Sequence, residues 1–161
     1  MPTGNYGIND CTMKKKLGIR GTVKTNDAEE TKNLGQLLAQ ELKGGEVLAL
    51  LGNLGSGKTT FIKGLAQGLG IKHVITSPTF VLMKVYPVKR HHIRQLVHID
   101  CYRVAGRELS KIGLGDYLNE PHTVVAIEWA EKLKHLPKMT IPISFQHGKK
   151  LNLRTISWRA S

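Results

Sequence analysis

The stretch GNLGSGKTTF, Gly52 to Phe61, matches the pattern G-x-x-x-x-G-K-[ST] without a mismatch, and the chemistry that this spacing supports is the cradling of a polyphosphate. Glycines let backbone N–H groups turn inward around an anion, and the positive end of a following helix adds to the field. In such a loop Lys58 reaches the β and γ phosphates, and the Thr59 hydroxyl is a magnesium ligand. A phosphate loop also needs an acid near its metal, normally at the C-terminal end of a neighbouring buried strand. Two runs offer one: LVHID ends in Asp100 and VVAIE ends in Glu128. Either carboxylate can serve magnesium, directly or through water, which leaves the other to orient an attacking water. TSPTF, Thr76 to Phe80, lies where switch-type nucleotidases keep a threonine that senses the γ phosphate, so Thr79 is a candidate. Taken alone, Ser77-Pro78-Thr79 is more often a turn leading into a strand. His98, Tyr102 and Arg103 surround Asp100 in the same run.

The flanking sequence decides whether the loop is placed to work. EVLALLG before it is a continuous apolar run, the pattern of a strand buried on both faces of a parallel sheet. KTTFIKGLAQGLG after it carries Phe61, Ile62, Leu65 and Leu69 at helical spacing and closes with Gly70. The motif therefore sits between a buried strand and a helix, the context that a phosphate loop requires. Upstream, GIRGTVKT alternates as a short edge strand. NDAEETKNLGQLLAQELKGG then reads as a helix capped by Asn26 with Glu29 three residues on, with Leu34, Leu37, Leu38 and Leu42 on one face and Gly44-Gly45 as its stop. Downstream, TFVLMKVYPV and RQLVHIDCY read as strands joined by the basic turn KRHHIR. ELSKIGLGDYL reads as helical turns broken by Gly113 and Gly115, and TVVAIEW as another buried strand. TIPISFQ and KLNLRTISW alternate around His147-Gly148 as an antiparallel hairpin.

At 161 residues and 40% hydrophobic composition, the chain has room for one domain with a core and none for a second catalytic domain. Residues 1–17 are polar and without period and read as a flexible tail, which leaves 18–161 as the domain. No apolar run approaches the roughly 20 residues needed to span a bilayer. The N-terminal residues lack the apolar middle of a secretory signal, so the expected location is the cytoplasm. Cys11 and Cys101 are the only cysteines and are not placed to form a structural disulfide. The net charge of +12 favours polyanionic partners such as RNA, though a basic enzyme with no nucleic-acid role carries the same charge.

Taken in order, EET in the first helix, GNLGSGKTT, SPTF, HIDCYR, GLGDYL and IEW resemble the TsaE (formerly YjeE) family, bacterial ATPases of tRNA threonylcarbamoyladenosine synthesis. The resemblance runs from about Gly18 to the C terminus. It implies an α/β fold: a single P-loop NTPase-type domain, with a central mixed sheet of parallel core and antiparallel extensions flanked by helices. For the nucleotide it implies that Gly52, Gly55, Ser56, Gly57, Lys58, Thr59 and Thr60 hold ATP, with Trp129 beside the site. Thr59 and Glu128 would serve magnesium (Mg2+), Thr79 would belong to a mobile switch, and Asp100 would be needed for turnover. It further implies partners, TsaB and TsaD, whose turnover is timed by ATP hydrolysis that is slow in the isolated chain. Contact with tRNA would be indirect or, on the charge of the turn itself rather than on the resemblance, through a basic surface of Lys84, Lys89, Arg90 and Arg94, which have no acid between them. The strong positive charge and the N-terminal tail stand outside the family pattern.

Two other readings share the phosphate loop. A small-molecule kinase needs an arginine-bearing lid and an acceptor pocket, whereas here the residues after Glu128 pass straight into a short basic helix and a hairpin. A nucleotide-gated RNA-binding module needs the basic turn and the C-terminal hairpin to form one phosphate-tracking surface.

Overall fold

The computed structural model describes residues 20–77, 82–90, 92–103, 113–137, 139–150 and 152–159. The element that organises them is β2 (Val47–Leu51), whose five residues VLALL are apolar throughout. The absence of alternation has a direct cause. Leu48 and Leu50 pack into the core on one face of the sheet, while Val47 and Ala49 pack into a second core on the other. β4 (Gln95–Asp100) and β5 (Thr123–Glu128) are buried in the same two-sided way. β5 pairs in parallel with both β2 and β4, and β6 (Thr140–His147) runs parallel to β2 on its other side.

Antiparallel strands extend this parallel centre at both ends. β3 (Met83–Pro87) pairs with β4, β7 (Arg154–Arg159) turns back along β6, and β1 (Arg20–Thr25) adds to β7. The seven-stranded order is β1-β7-β6-β2-β5-β4-β3. This is the α/β architecture with a mixed sheet expected from the sequence. The β6–β7 hairpin closes where expected, with the Gly148 N–H donating to the Leu153 carbonyl at 2.7 Å. Among the described residues, no helix is long and apolar enough to cross a membrane.

Helices α1 (Ala28–Glu41) and α2 (Lys58–Gly68) cover one face of the sheet, burying Leu34, Leu38, Phe61, Ile62 and Leu65 against Leu48 and Leu50. The start of α1 differs from the sequence expectation by one residue. Asp27, not Asn26, is the cap: its Oδ1 accepts the Glu30 N–H at 2.8 Å, and Glu30 Oε2 accepts the Asn26 N–H at 2.8 Å. The capping logic holds, but the acid that can reach back is Glu30 rather than Glu29.

The two helices cross with almost no space between their backbones. A Cβ on Gly64 would stand 1.8 Å from the Lys32 carbonyl oxygen, so the crossing requires a residue without a side chain there. Gly64→Ala should therefore destabilise the fold by roughly 2 kcal/mol or more, since overpacking a tight contact typically costs 1–3 kcal/mol and occasionally more. Gly115→Ala, at a position facing open space, should stay within about 0.5 kcal/mol of the parent. Urea denaturation of both variants checks this. Equal midpoints for the two would contradict the close crossing.

Candidate functional site

The site is assembled at the C-terminal edge of the parallel strands. β2 leads directly into the loop Gly52–Gly57 and then into α2. β4 and β5 end in register, so Asp100 stands beside Glu128, and Glu128 in turn is the register partner of Leu50 at the end of β2. Both acids named from the sequence thus lie next to the loop, where open α/β sheets place their ligands. A cavity of about 350 Å³ opens there, lined by the loop residues together with Asp100, Glu128, Trp129 and Arg154.

Gly52, Gly55 and Gly57 all have positive φ, which lets the loop curl with its N–H groups toward the cavity. Gly52 is enclosed by backbone, since a Cβ there would stand 2.5 Å from the Phe145 carbonyl oxygen, whereas Gly57 is covered by a side chain. The φ of Gly57 is +102°, and a Cβ there would stand 2.9 Å from Nε and 3.0 Å from Cδ of Arg154. Lys58, the first residue of α2, donates from Nζ to the Gly52 carbonyl at 2.6 Å and the Asn53 carbonyl at 3.0 Å. The same ammonium lies 4.0 Å from the centre of the Trp129 ring. Desolvation lowers the Lys58 pKa from the ordinary lysine value, against the opposing pull of Glu128, Glu131 and Asp100.

Across the cavity the Thr59 hydroxyl donates to the Glu128 carboxylate, 3.0 Å from Oε1 and 2.9 Å from Oε2. His98 is completely buried one residue short of the Ile99 level and meets Glu128 Oε1 through Nε2 at 2.8 Å. His98 therefore fixes the orientation of the acid. Asp100 is held differently: Ser77 Oγ donates to its Oδ2, and the Tyr102 N–H donates to Oδ1 at 2.9 Å. Trp129 follows Glu128 with φ +57°, a left-handed conformation that is costly for a bulky residue and that turns the chain sharply beside the cavity. Tyr102 packs on its ring at a centroid separation of 4.9 Å.

The structure thus brings together Gly52, Gly55, Ser56, Gly57, Lys58, Thr59, Thr60, Asp100, Glu128 and Trp129 around one loop and cavity. Thr79 lies outside the described residues. The basic turn is partly committed elsewhere: Arg90 Nη1 donates to the Ala39 carbonyl near the end of α1 at 2.5 Å, and Lys84 Nζ to Thr76 Oγ1 at 2.8 Å. Cys101, just past Asp100, is fully buried, and burial with help from Asp100 pushes its thiol up to about 12, so it is chemically quiet at neutral pH. Sequence reasoning missed Arg154, whose place at the cavity depends on strand pairing rather than on any local motif.

The donor set suits a metal–polyphosphate complex. Among the described residues, no group of three His, Cys, Asp or Glu is arranged to hold a metal ion unaided. Magnesium bound together with a nucleotide needs only one or two protein oxygens, because phosphates and water supply the rest, and the Thr59 hydroxyl and the Glu128 carboxylate are oxygens that line this cavity. Lys58, Arg103 and Arg154 around the same cavity oppose the charge of a polyphosphate.

Comparison with known proteins agrees with this architecture. A family model described as "Threonylcarbamoyl adenosine biosynthesis protein TsaE" matches residues 25–156. Relatives named tRNA threonylcarbamoyladenosine biosynthesis protein TsaE include one from Nostoc, 39% identical over 125 residues that span 76% of this chain and 75% of that protein. Another, from Bacillus subtilis, is 40% identical over 121 residues, 74% and 73% of the two chains. The crystal structure of Bacillus subtilis YdiB superimposes with a TM-score of 0.68 at 33% identity, covering 88% of this chain and 85% of that one. Its likeness accords with a P-loop NTPase-type fold.

Proposed function

The chain belongs to the TsaE family, whose members act in tRNA threonylcarbamoyladenosine biosynthesis, and on that premise we propose that it binds ATP with magnesium and hydrolyses it to time the turnover of a TsaB–TsaD complex in the cytoplasm. The observation that carries this reading is the contact between Thr59 and both carboxylate oxygens of Glu128. It joins the first turn of α2 to the end of β5 at the one place where a nucleotide's metal would need protein oxygens.

In this reading the loop N–H groups and Lys58 hold the phosphates, and Thr59 and Glu128 hold the metal. Bound magnesium would neutralise charge on the phosphate oxygens. Asp100, kept in place by Ser77 and the Tyr102 N–H, stands beside Glu128 as the group to orient a water or receive its proton. Among the described residues after Glu128, a short 3-10 turn, Ala130–Lys132, is the one element before the final hairpin. Timing a partner therefore suits this chain better than phosphorylating a metabolite.

The test is ATP turnover by the full chain, alone and with its cognate TsaB and TsaD, alongside multiple-turnover formation of threonylcarbamoyladenosine. The expected result is slow hydrolysis alone and an acceleration of ~10³ or more with the partners, the scale on which an added surface can complete such a site. Rapid hydrolysis indifferent to the partners, or transfer of the γ phosphate to a small metabolite, would overturn the proposal.

A further inference from the structure

Arg154 opens β7 on the far side of the sheet from Asp100 and Glu128, yet its side chain reaches the cavity and lies over Gly57. Its environment is unusual for an arginine. Nε is buried and has no hydrogen-bond partner among the described residues. Of the remaining guanidinium donors, Nη1 is tied to the Asn152 carbonyl at 3.1 Å. Among the described residues no carboxylate pairs with Arg154. A guanidinium does not shed its charge when it is desolvated, and among the described residues neither this N–H nor this positive charge has a partner.

The position of the group indicates what that partner is. It sits against the backbone of the glycine that precedes Lys58, on the α1 side of the loop, whereas Lys58 is drawn toward Trp129 on the β5 side. Lys58 and Arg154 both line the cavity that opens at the loop. We infer that Arg154 is a phosphate-binding residue that closes the anion cradle from the side opposite Lys58 and presents its guanidinium to the phosphate chain of the nucleotide. A planar guanidinium with an unused N–H is well matched to phosphate oxygens, with which it forms strong charge-assisted hydrogen bonds. The glycine at position 57 then serves two ends, since its bare Cα permits both the loop's turn and the arginine's close approach. This inference rests on the nucleotide-binding reading above.

Calorimetric titration of the full chain with magnesium–ADP, and with pyrophosphate as a phosphate-only probe, tests it. Arg154→Ala should weaken both ligands about 10-fold, and Arg154→Lys, which keeps the charge but not the fork, should fall between the variant and the parent. A folded Arg154→Ala protein that binds both ligands within twofold of the parent would overturn the inference. The unaltered chain gives a measurement independent of any folding defect. The arginine Nε–H resonance assigned to Arg154 should shift and exchange more slowly with water on addition of pyrophosphate, and an unmoved resonance at saturation would also overturn it. Lys58→Ala run in parallel separates the two layers: normal binding by that variant would refute the phosphate-loop reading itself, whereas its failure beside a silent Arg154 would refute only the role given to Arg154.

Discussion

Lys58→Ala is expected to weaken magnesium–ATP and ADP roughly 100-fold or more while leaving the protein folded. A charge-assisted hydrogen bond contributes about 1.5–3 kcal/mol, and each ~1.4 kcal/mol is a factor of ten in affinity. The lysine is positioned to make more than one such contact, because its ammonium already lies at the mouth of the loop beside the carbonyls of Gly52 and Asn53. The bonds of its head group go to loop atoms, the Gly52 and Asn53 carbonyls and Ser56 Oγ, so the unfolding free energy should change by no more than about 1.5 kcal/mol, the scale of one such hydrogen bond. Calorimetry on the folded variant checks the affinity, and an unchanged value would refute the phosphate-loop assignment. The same residue sets a pH signature. The protonated form is the one that binds phosphate, and burial lowers its pKa. Affinity in the parent should hold at neutral pH and fall as the solution is made alkaline, beginning below the range in which an ordinary lysine loses its proton.

Glu128→Gln should reduce magnesium-dependent ATP turnover roughly 100-fold, at the upper end of what even outer partners of a metal site are worth. The amide retains the shape and can still meet Thr59 and His98. It lacks the negative charge that favours a hard cation. Asp100→Asn should also slow turnover, about 10-fold or more, with ATP affinity within about threefold of the parent. Its carboxylate is held by Ser77 and the Tyr102 N–H rather than by Thr59, which separates it from the proposed metal ligand. Full activity of both single variants in the reconstituted tRNA modification reaction would mean that the acids have been given the wrong roles.

Much of this arrangement could be read from the sequence because it is local. The apolar run of β2, the loop and α2 are contiguous, and Asp100 and Glu128 each end a strand whose uninterrupted hydrophobicity marks it as central. The cap of α1 falls one residue later than the sequence pattern suggests, because Asn26 and Asp27 are both good caps. Only the geometry of the turn decides which glutamate folds back. Arg154 was not legible for a different reason. Its neighbours in sequence describe an ordinary hairpin strand, and its proximity to Gly57 arises from the path of β7 relative to a loop about a hundred residues earlier. Arg90 reads as one charge in a basic turn, but it is engaged by the Ala39 carbonyl, an acceptor in α1 that only tertiary packing brings near.

The antiparallel additions at the two ends of the sheet bear on how the molecule behaves among its own copies. Among the described residues the outermost strands are β1 and β3, and an outermost strand presents unpaired backbone groups that another chain can add to. β1 exposes Arg20 and Lys24 within six residues, and β3 is only five residues long, contains Lys84 and ends in Pro87, which has no N–H to offer. Short edges carrying cations and a proline are poor templates for strand addition. Cations on both rims would also repel a second sheet, a use of positive charge that involves no nucleic acid.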